Sequence, residues 1–237
     1  MRKFFKKFFK FIVILLLLFL IFYGGIWIYA KLAPTLPIKS ANSFTLYDKD
    51  GKLYNDSDTK WMSLKNMSSS IVEATISIED KNFYKHHGFD YLRIMKAMLT
   101  NITSGEKRQG ASTITQQYAK NLFLTFDKNW KRKIEEALLT VRLEAHYSKD
   151  ELLEGYLNTI NYGVFGIENA SQYYFGKSSK DLTLAEASML AGIPKSPSNY
   201  SPISNYDNAK KRQKLILQSM VQNGYITEKQ MEEAYKS

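Results

Sequence analysis

Two adjacent carboxylates, Glu79 and Asp80, lie in a stretch that covers residues 78–88 and reads Ile-Glu-Asp-Lys-Asn-Phe-Tyr-Lys-His-His-Gly. The stretch begins where an apolar helical pattern gives way to aromatic residues, histidines and a glycine. A carboxylate beside Phe83 and Tyr84 would lose solvation, which favours the protonated acid and suits a group that exchanges protons with a substrate. Taken alone the motif is short, and a solvated helix end followed by a turn is the simpler interpretation.

A row of hydrogen-bond donors follows in residues 110–121, which read Gly-Ala-Ser-Thr-Ile-Thr-Gln-Gln-Tyr-Ala-Lys-Asn. If a helix begins at Ser112, helical spacing places five polar residues on or beside one face: Ser112, Gln116, Gln117, Lys120 and Asn121. Hydroxyl, amide and ammonium donors near the start of a helix suit an oxyanion or a diphosphate. A solvated polar face is the alternative, but two adjacent glutamines in an otherwise apolar helix need hydrogen-bond partners.

A third group of charged residues surrounds Trp130 at the start of another predicted helix: Lys128, Lys131, Arg132, Lys133, Glu135 and Glu136. Arg132 and Lys133 precede Glu136 by four and three residues, so both cations can contact its carboxylate and favour its ionised form. An exposed ion pair, worth a few tenths of a kcal/mol, is the alternative for this group alone.

Helices are predicted to position these residues. Ser70 and Glu73 form a capping-box signature, and the apolar pattern after them predicts a helix that ends at Glu79. Residues 90–99 predict a helix with too many apolar positions for one narrow buried stripe. A core helix and a segment lying in the head-group region of a membrane both fit that pattern. Two more capping boxes predict scaffold helices nearer the chain end: Ser148 with Glu151 and Thr183 with Glu186.

The N-terminus carries a basic segment, residues 1–10, followed by an uncharged apolar run, residues 11–30. That run is long enough to cross about 30 Å of hydrocarbon as a helix. Trp27 and Tyr29 near its far end favour an uncleaved transmembrane helix over a signal peptide. The positive-inside rule then predicts a single-pass protein of the cell membrane, with its N-terminus in the cytoplasm and the rest of the chain outside.

Two regions follow the apolar run. Residues 31–60 predict a stalk with a short hairpin around an Asp-Gly turn, and residues 61–237 are enough for one domain with a sizeable core. The formal net charge of the whole chain is +10, and the five N-terminal cations supply half of it. A basic domain on a membrane anchor predicts phosphates or lipid head groups as partners rather than nucleic acid. Without cysteines the chain forms no disulfide and no thiolate zinc site.

Four motifs occur in a fixed order along the chain: Glu79-Asp-x-x-Phe-x-x-His-x-Gly, Gly110-x-Ser-Thr-Ile-x-Gln-Gln-x-x-Lys-Asn, Arg132-Lys-x-x-Glu and Leu153-Glu-x-Tyr-Leu-Asn. Together they resemble the peptidoglycan glycosyltransferase, or transglycosylase, domain family, which also forms the glycosyltransferase half of class A penicillin-binding proteins. The resemblance runs from about Trp61 to the end of the chain and indicates the monofunctional biosynthetic type.

The resemblance implies a mainly α fold, with a lysozyme-like helical lobe and a smaller membrane-facing lobe, preceded here by one transmembrane helix. It implies an enzyme of bacterial cell wall synthesis that polymerises lipid II, the undecaprenyl-diphosphate-linked disaccharide pentapeptide. The product would be a β-1,4 glycan strand formed with inversion, and undecaprenyl diphosphate would be released. The implied partners are lipid II, the growing lipid-linked glycan, the membrane and other cell wall synthesis proteins.

By the same resemblance Glu79 is the general base, and Glu136 orients the leaving group directly or through a divalent ion such as Mg or Mn. No organic cofactor is expected. The remaining motif residues would bind substrate: Asp80, Phe83, His86, Ser112, Gln116, Gln117, Lys120, Asn121, Lys128, Arg132 and Lys133. Lys128 departs from the arginine that is common in the family, and lysine keeps the charge but loses bidentate geometry.

Three alternatives to this interpretation stay open. A lysozyme-like peptidoglycan hydrolase would also use an acidic residue in a helical lobe, although it would have no use for the phosphate-suited cations and the anchor. A catalytically idle scaffold of a wall-synthesis complex is the second. The sequence stops soon after the last motif, which predicts a monofunctional enzyme, and a glycosyltransferase fragment of a bifunctional penicillin-binding protein would look the same.

Overall fold

A computed structural model describes residues 2–38, 60–104, 110–124 and 129–237 of the chain. These residues form helices joined by turns, with one isolated antiparallel bridge between Asn161 and Phe165. The eleven α-helices of the described part are α1 Arg2–Leu32, α2 Ser69–Glu79, α3 Tyr91–Ser104, α4 Ile114–Phe123, α5 Trp130–His146, α6 Lys149–Thr159, α7 Ile167–Phe175, α8 Leu184–Gly192, α9 Pro197–Tyr200, α10 Tyr206–Gln222 and α11 Glu228–Lys236. The predicted mainly α fold is confirmed.

Helix α1 joins the basic N-terminal segment and the apolar run into one element. Its part Lys6–Leu32 is long and apolar enough to cross a membrane. Two side chains of the domain hydrogen-bond to carbonyl groups near the end of this helix: His146 bonds to Ala30 O inside α1 at 2.8 Å, and Tyr118 donates to Ile38 O beyond it at 2.7 Å. The predicted hairpin lies outside the described residues, and the predicted domain boundaries remain predictions.

Helix α2 delivers Glu79 at its last position, as the apolar pattern predicts. Its buried residues, Ile71 and Ala74 among them, belong to the core that α2 forms with α8 and α10. The predicted capping box of Ser70 and Glu73 is wrong, because the helix already begins at Ser69 and its N-cap residue, Ser68, makes no side-chain cap bond.

Helix α4 packs against both α5 and α6. It begins at Ile114, and the Thr113 and Gln116 side chains form a reciprocal capping box at its start. The ring of Tyr118 comes so close to α6 that a Cβ on Gly155 would overlap its hydroxyl group. The predicted capping boxes of Ser148 with Glu151 and Thr183 with Glu186 are both confirmed.

Helix α3 exposes most of its apolar side chains. Leu92 is 78% and Ile102 73% exposed, and Tyr91, Met95, Met98 and Leu99 are exposed as well. Ala97 is its one buried apolar residue in the described part of the chain. A core helix would bury these side chains, so the structure excludes that interpretation and leaves the membrane-surface one.

Candidate active site

Glu79 lies partly buried at the C-terminal end of α2, and two groups hold it in place. Its Oε2 atom accepts a hydrogen bond from the Gln117 side-chain amide at 2.7 Å, and its backbone carbonyl accepts one from the Arg93 guanidinium. Tyr156, which is fully buried, donates its hydroxyl to the Gln117 carbonyl oxygen at 3.1 Å. Burial and the negative charge of Glu79 raise the pKa of Tyr156, so its hydroxyl stays a donor. Among the described residues nothing hydrogen-bonds to Oε1, which leaves that oxygen able to accept a proton.

Asp80, next to the proposed base, has no exposed surface. Both of its carboxylate oxygens lie 3.0 Å from His86 Nε2, and Oδ2 also accepts the backbone N–H of Ile114 at 3.1 Å. Phe83 is also fully buried, with its ring beside His86. Because the protein surrounds Asp80 and Phe83, we expect both to position the site, and the predicted substrate contacts of these residues and of the partly exposed His86 stay predictions. Asp80 ties the end of α2 to the first residue of α4.

Glu136 on α5 is the centre of a charged cluster. Its carboxylate is only 3% exposed and pairs with Arg132 Nη1 at 2.9 Å and with Lys133 Nζ. Gln116 Nε2 lies 3.5 Å from Glu136 Oε1, so the predicted polar row does reach this carboxylate. Ser112 lies outside the helix that it was predicted to begin, but its hydroxyl is 3.5 Å from Lys133 Nζ.

Lys120 connects the two carboxylates electrostatically. The pKa of its ammonium group is lowered, chiefly by burial and also by the neighbouring cations Arg132 and Lys133. The negative charges of Glu136 and Glu79 act in the opposite direction. The Lys120 ammonium group has no ion pair or hydrogen bond to any described residue. A partly desolvated, unpaired ammonium group is suited to receive an anion. Asn121 follows it on α4 without a side-chain hydrogen bond to the described residues, and Lys128 lies outside them.

A divalent ion at Glu136 would meet a carboxylate that protein groups already contact. The carboxylate oxygens of Glu136 are already taken by Arg132, Lys133 and Gln116. No group of three or more histidine, aspartate or glutamate side chains that could hold a metal occurs in residues 2–38, 60–104, 110–124 and 129–237. Arg132 and Lys133 already supply positive charge to this carboxylate, and a divalent ion at Glu136 stays a prediction.

Arg212 on α10 lies near the site and is not among the predicted site residues, because in the sequence it stands in a basic run that is typical of a solvated face. Its side chain is buried, packs against Gly192 and lies with its guanidinium carbon 6.0 Å from the centre of the Tyr200 ring. Burial lowers the pKa of Arg212 and the charge of Glu79 raises it, so the two groups are within electrostatic reach. The available signal was periodicity, since Arg212 lies four residues before Ile216 on the apolar face of α10.

The arrangement combines two chemical capacities. On one side is a carboxylate, Glu79, oriented by an amide and with one oxygen free to take a proton. On the other side are three cations, Lys120, Arg132 and Lys133, held around a buried counter-charge. Such a cluster stabilises negative charge that develops on a leaving group. Together they suit transfer of a group from an anionic leaving group to a hydroxyl.

Comparison with known proteins agrees with this chemistry. A family profile described as Transglycosylase matches residues 48–221. Penicillin-binding protein 2D of Bacillus subtilis (strain 168) is 52% identical over 213 residues, which cover 87% of this chain and 31% of the relative. Penicillin-binding protein 1F of the same strain is 46% identical over 77% of this chain and 26% of the relative.

Penicillin-binding protein 1A of Neisseria lactamica is 45% identical over 80% of this chain and 24% of the relative. The chain thus spans about a third or less of the length of these curated relatives. The solved structure of penicillin-binding protein 1A from Haemophilus influenzae matches 81% of this chain with a TM-score of 0.43 and 22% identity, and 20% of that chain is covered. The profile match and these identities show that the chain belongs to the transglycosylase family, the glycosyltransferase domain family of class A penicillin-binding proteins.

Proposed function

We propose that this chain polymerises lipid II into β-1,4-linked glycan strands and releases undecaprenyl diphosphate. The observation that carries the proposal is that neighbouring residues of α4 reach both carboxylates, since Gln117 donates to Glu79 at 2.7 Å and Gln116 lies 3.5 Å from Glu136. This brings a proton acceptor and a cationic cluster together on the helix that carries Lys120. Family membership and the relatives named penicillin-binding proteins support the same reaction class.

Glu79 is the general base of the proposed reaction. Its free Oε1 atom takes the proton from the 4-hydroxyl of the acceptor sugar. The sugar oxygen that has lost this proton attacks the anomeric carbon of the growing chain. The bond from this carbon to the lipid diphosphate breaks as the new bond forms, so an α linkage is converted into a β linkage in one displacement. No covalent enzyme intermediate is required.

The departing diphosphate is stabilised by the cationic cluster. Within this cluster Arg132 and Lys133 form ion pairs with Glu136. The Lys120 ammonium is not paired with a described residue and can bind the leaving oxygen. Glu136 is then an orienting residue that keeps the two side chains beside the site. Because the protein supplies these charges in a partly desolvated cluster, they act more strongly than they would in water.

The membrane completes the proposed site. With the N-terminus in the cytoplasm and α1 crossing the bilayer once, the domain lies on the outer face, where the diphosphate of a lipid-anchored substrate meets the head-group region. Other cell wall synthesis proteins could then bind the remaining surface of the domain.

Labelled lipid II offered to the full chain in detergent or vesicles tests the proposal. Wild type should yield long, lysozyme-sensitive strands, and Glu79→Gln should lose about 10²–10⁴-fold in rate while its unfolding transition stays unchanged. Glu73→Gln on the same helix is the matched control and should keep full activity. Cut sacculi without polymer would favour a hydrolase, and an active Glu79→Gln variant would remove the assignment of the base.

A further inference from the structure

A cavity of about 410 Å³ lies between the end of α2 and the start of α3 and forms a cationic site besides the Glu136 cluster. Three cations line it, Lys81, Arg93 and Lys96. Its one acidic wall residue, Asp90, uses its carboxylate oxygens to accept the Arg93 backbone N–H at 2.9 Å and the Asn82 amide at 2.8 Å. Neither Lys81 nor Lys96 pairs with an acidic group in the part of the chain that the structure describes. The cavity therefore has an excess of positive charge.

Contacts with α1 place this cavity close to the bilayer surface. The Trp27 ring packs edge-on against His87 at 6.0 Å between centroids, and the Tyr23 hydroxyl is hydrogen-bonded to Tyr91, the first residue of α3. Trp27 lies near the far end of the apolar run, where aromatic residues occupy the membrane interface. If α1 spans the membrane, its contact with His87 brings the segment before α3 close to the depth where head groups meet acyl chains.

The rim of the cavity is apolar on the side of α3. Leu92 lines the cavity and is 78% exposed, and the exposed apolar side chains of α3 continue away from it: Met95, Met98, Leu99 and Ile102. A cationic pocket that opens beside an exposed apolar helix face matches a ligand that has a phosphate at one end and hydrocarbon at the other.

We propose that this cavity binds the phosphate head group of an anionic phospholipid of the surrounding bilayer, with the acyl chains along the exposed face of α3. The phosphate would lie among Lys81, Arg93 and Lys96, where the guanidinium and the two ammonium groups supply charge-assisted hydrogen bonds. This site rests on the proposed membrane placement of α1 and goes beyond the polymerase reaction.

The cavity is separate from the cluster assigned to the leaving diphosphate. That cluster is formed by Lys120 on α4 with Arg132 and Lys133 on α5, and none of these residues lines the cavity. The cavity is linked to the proposed base through Arg93, whose guanidinium also donates to the Glu79 carbonyl. A bound phospholipid would therefore fix a side chain that holds the end of α2.

Phospholipid retention by the full chain tests the site. Protein is released from nanodiscs that contain equal amounts of phosphatidylglycerol and phosphatidylcholine, and native mass spectrometry counts the lipids that stay bound. Lys81→Gln/Lys96→Gln removes two of the three cations, and Lys65→Gln/Lys180→Gln removes the same charge from exposed positions elsewhere. Wild type and the second double variant should retain phosphatidylglycerol in preference to phosphatidylcholine. The first should lose on the order of 10- to 30-fold in apparent affinity.

Equal retention by the two double variants, or no preference for phosphatidylglycerol, would overturn the proposal. Displacement of phosphatidylglycerol by equimolar undecaprenyl diphosphate would also overturn it, because the cavity would then belong to the substrate. Retention is measured without turnover, so a chain that fails to polymerise lipid II would contradict the proposed function and leave this test intact.

Discussion

The side-chain nitrogen of Gln117 lies 2.7 Å from Oε2 of Glu79, and this bond links the proposed base on α2 to α4, the helix that carries Lys120. An amide has a donor end and an acceptor end, and a flip of the group would turn its oxygen against the carboxylate. The Tyr156 hydroxyl prevents the flip by donating to the Gln117 oxygen at 3.1 Å. A fully buried tyrosine thus determines which end of the amide faces the base.

Tyr156→Phe should therefore slow glycan polymerisation by roughly tenfold, since a misoriented amide weakens the placement of Glu79. Stability should also fall by about 1–3 kcal/mol, because the Gln117 oxygen loses its buried donor. Initial rates over a range of lipid II concentrations and urea unfolding measure the two effects, and the loss should appear in kcat more than in KM.

Tyr118→Phe is the matched control for that variant. Tyr118 is also fully buried and donates its hydroxyl to a single acceptor, the Ile38 carbonyl, at 2.7 Å. It should lose a similar amount of stability and keep its rate. Equal rate losses in the two variants would show that Tyr156 acts through the fold alone.

Lys120→Met should make the protein more stable and less active. Burial lowers the pKa of Lys120, so the folded state binds this proton less tightly than the unfolded state and the charged lysine opposes folding at neutral pH. Removing the charge should raise the free energy of unfolding, while polymerisation should fall about 10²–10³-fold for want of the cation at the diphosphate.

The pH dependence of the Lys120→Met effect has a defined sign. The pKa of Lys120 is lowered in the folded state and is about 10.4 in the unfolded chain. In the pH range between these two values the unfolded wild type binds more protons than the folded one, so wild type gains stability relative to the variant as pH rises. Urea unfolding of both proteins at pH 7 and pH 10 should show that the extra free energy of unfolding of the variant is smaller at pH 10. A difference that grows, or the same behaviour in the exposed control Lys65→Met, would contradict the assignment.

Asp80→Asn should destabilise the fold by about 2–4 kcal/mol, because the buried carboxylate serves both His86 and the N-terminus of α4. KM for lipid II should change less than twofold, since the side chain has no surface for substrate. Chemical denaturation measures the loss of stability and steady-state kinetics measure KM, with Asp181→Asn at an exposed position as the control. A raised KM with unchanged stability would restore the predicted substrate contact.

Features that depend on residues a few positions apart could be predicted from the sequence. The helix ending at Glu79 and the capping boxes at Ser148 and Thr183 are confirmed because their bonds form within one helical turn. The start of α4 was placed at Ser112 although Gln116 lies three residues after Thr113, the spacing that the capping box requires.

Contacts between distant parts of the chain could not be predicted in the same way. The bond from Tyr156 to Gln117 joins residues 39 positions apart, and the bond from Ile114 to Asp80 spans 34. Each depends on how helices pack, which the local pattern of polar and apolar residues does not define. Asp80 therefore resembles a substrate ligand in sequence, whereas its burial favours a positioning role.

Helix packing around the site can be tested at Gly155 on α6. A Cβ there would overlap the Tyr118 hydroxyl and lie 2.8 Å from Cε1 of the same ring. The ring is buried and its hydroxyl is bonded to Ile38, so α4 and α6 would have to separate. Gly155→Ala should then lower the free energy of unfolding by about 1–3 kcal/mol or more. Helix propensity alone would raise it by up to about 1 kcal/mol, because alanine favours a helix more than glycine does.

Because α4 also carries Gln117 and Lys120, Gly155→Ala should reduce polymerisation even at temperatures where the variant is still folded. Gly110→Ala is the control, since a Cβ at Gly110 has no heavy atom within 4 Å, and it should change neither stability nor rate. Urea unfolding and initial rates at 20 °C and 37 °C would measure both variants. If Gly155→Ala unfolded at the wild-type urea concentration or above, the close contact between α4 and α6 would be refuted, because helix propensity alone would then determine the outcome.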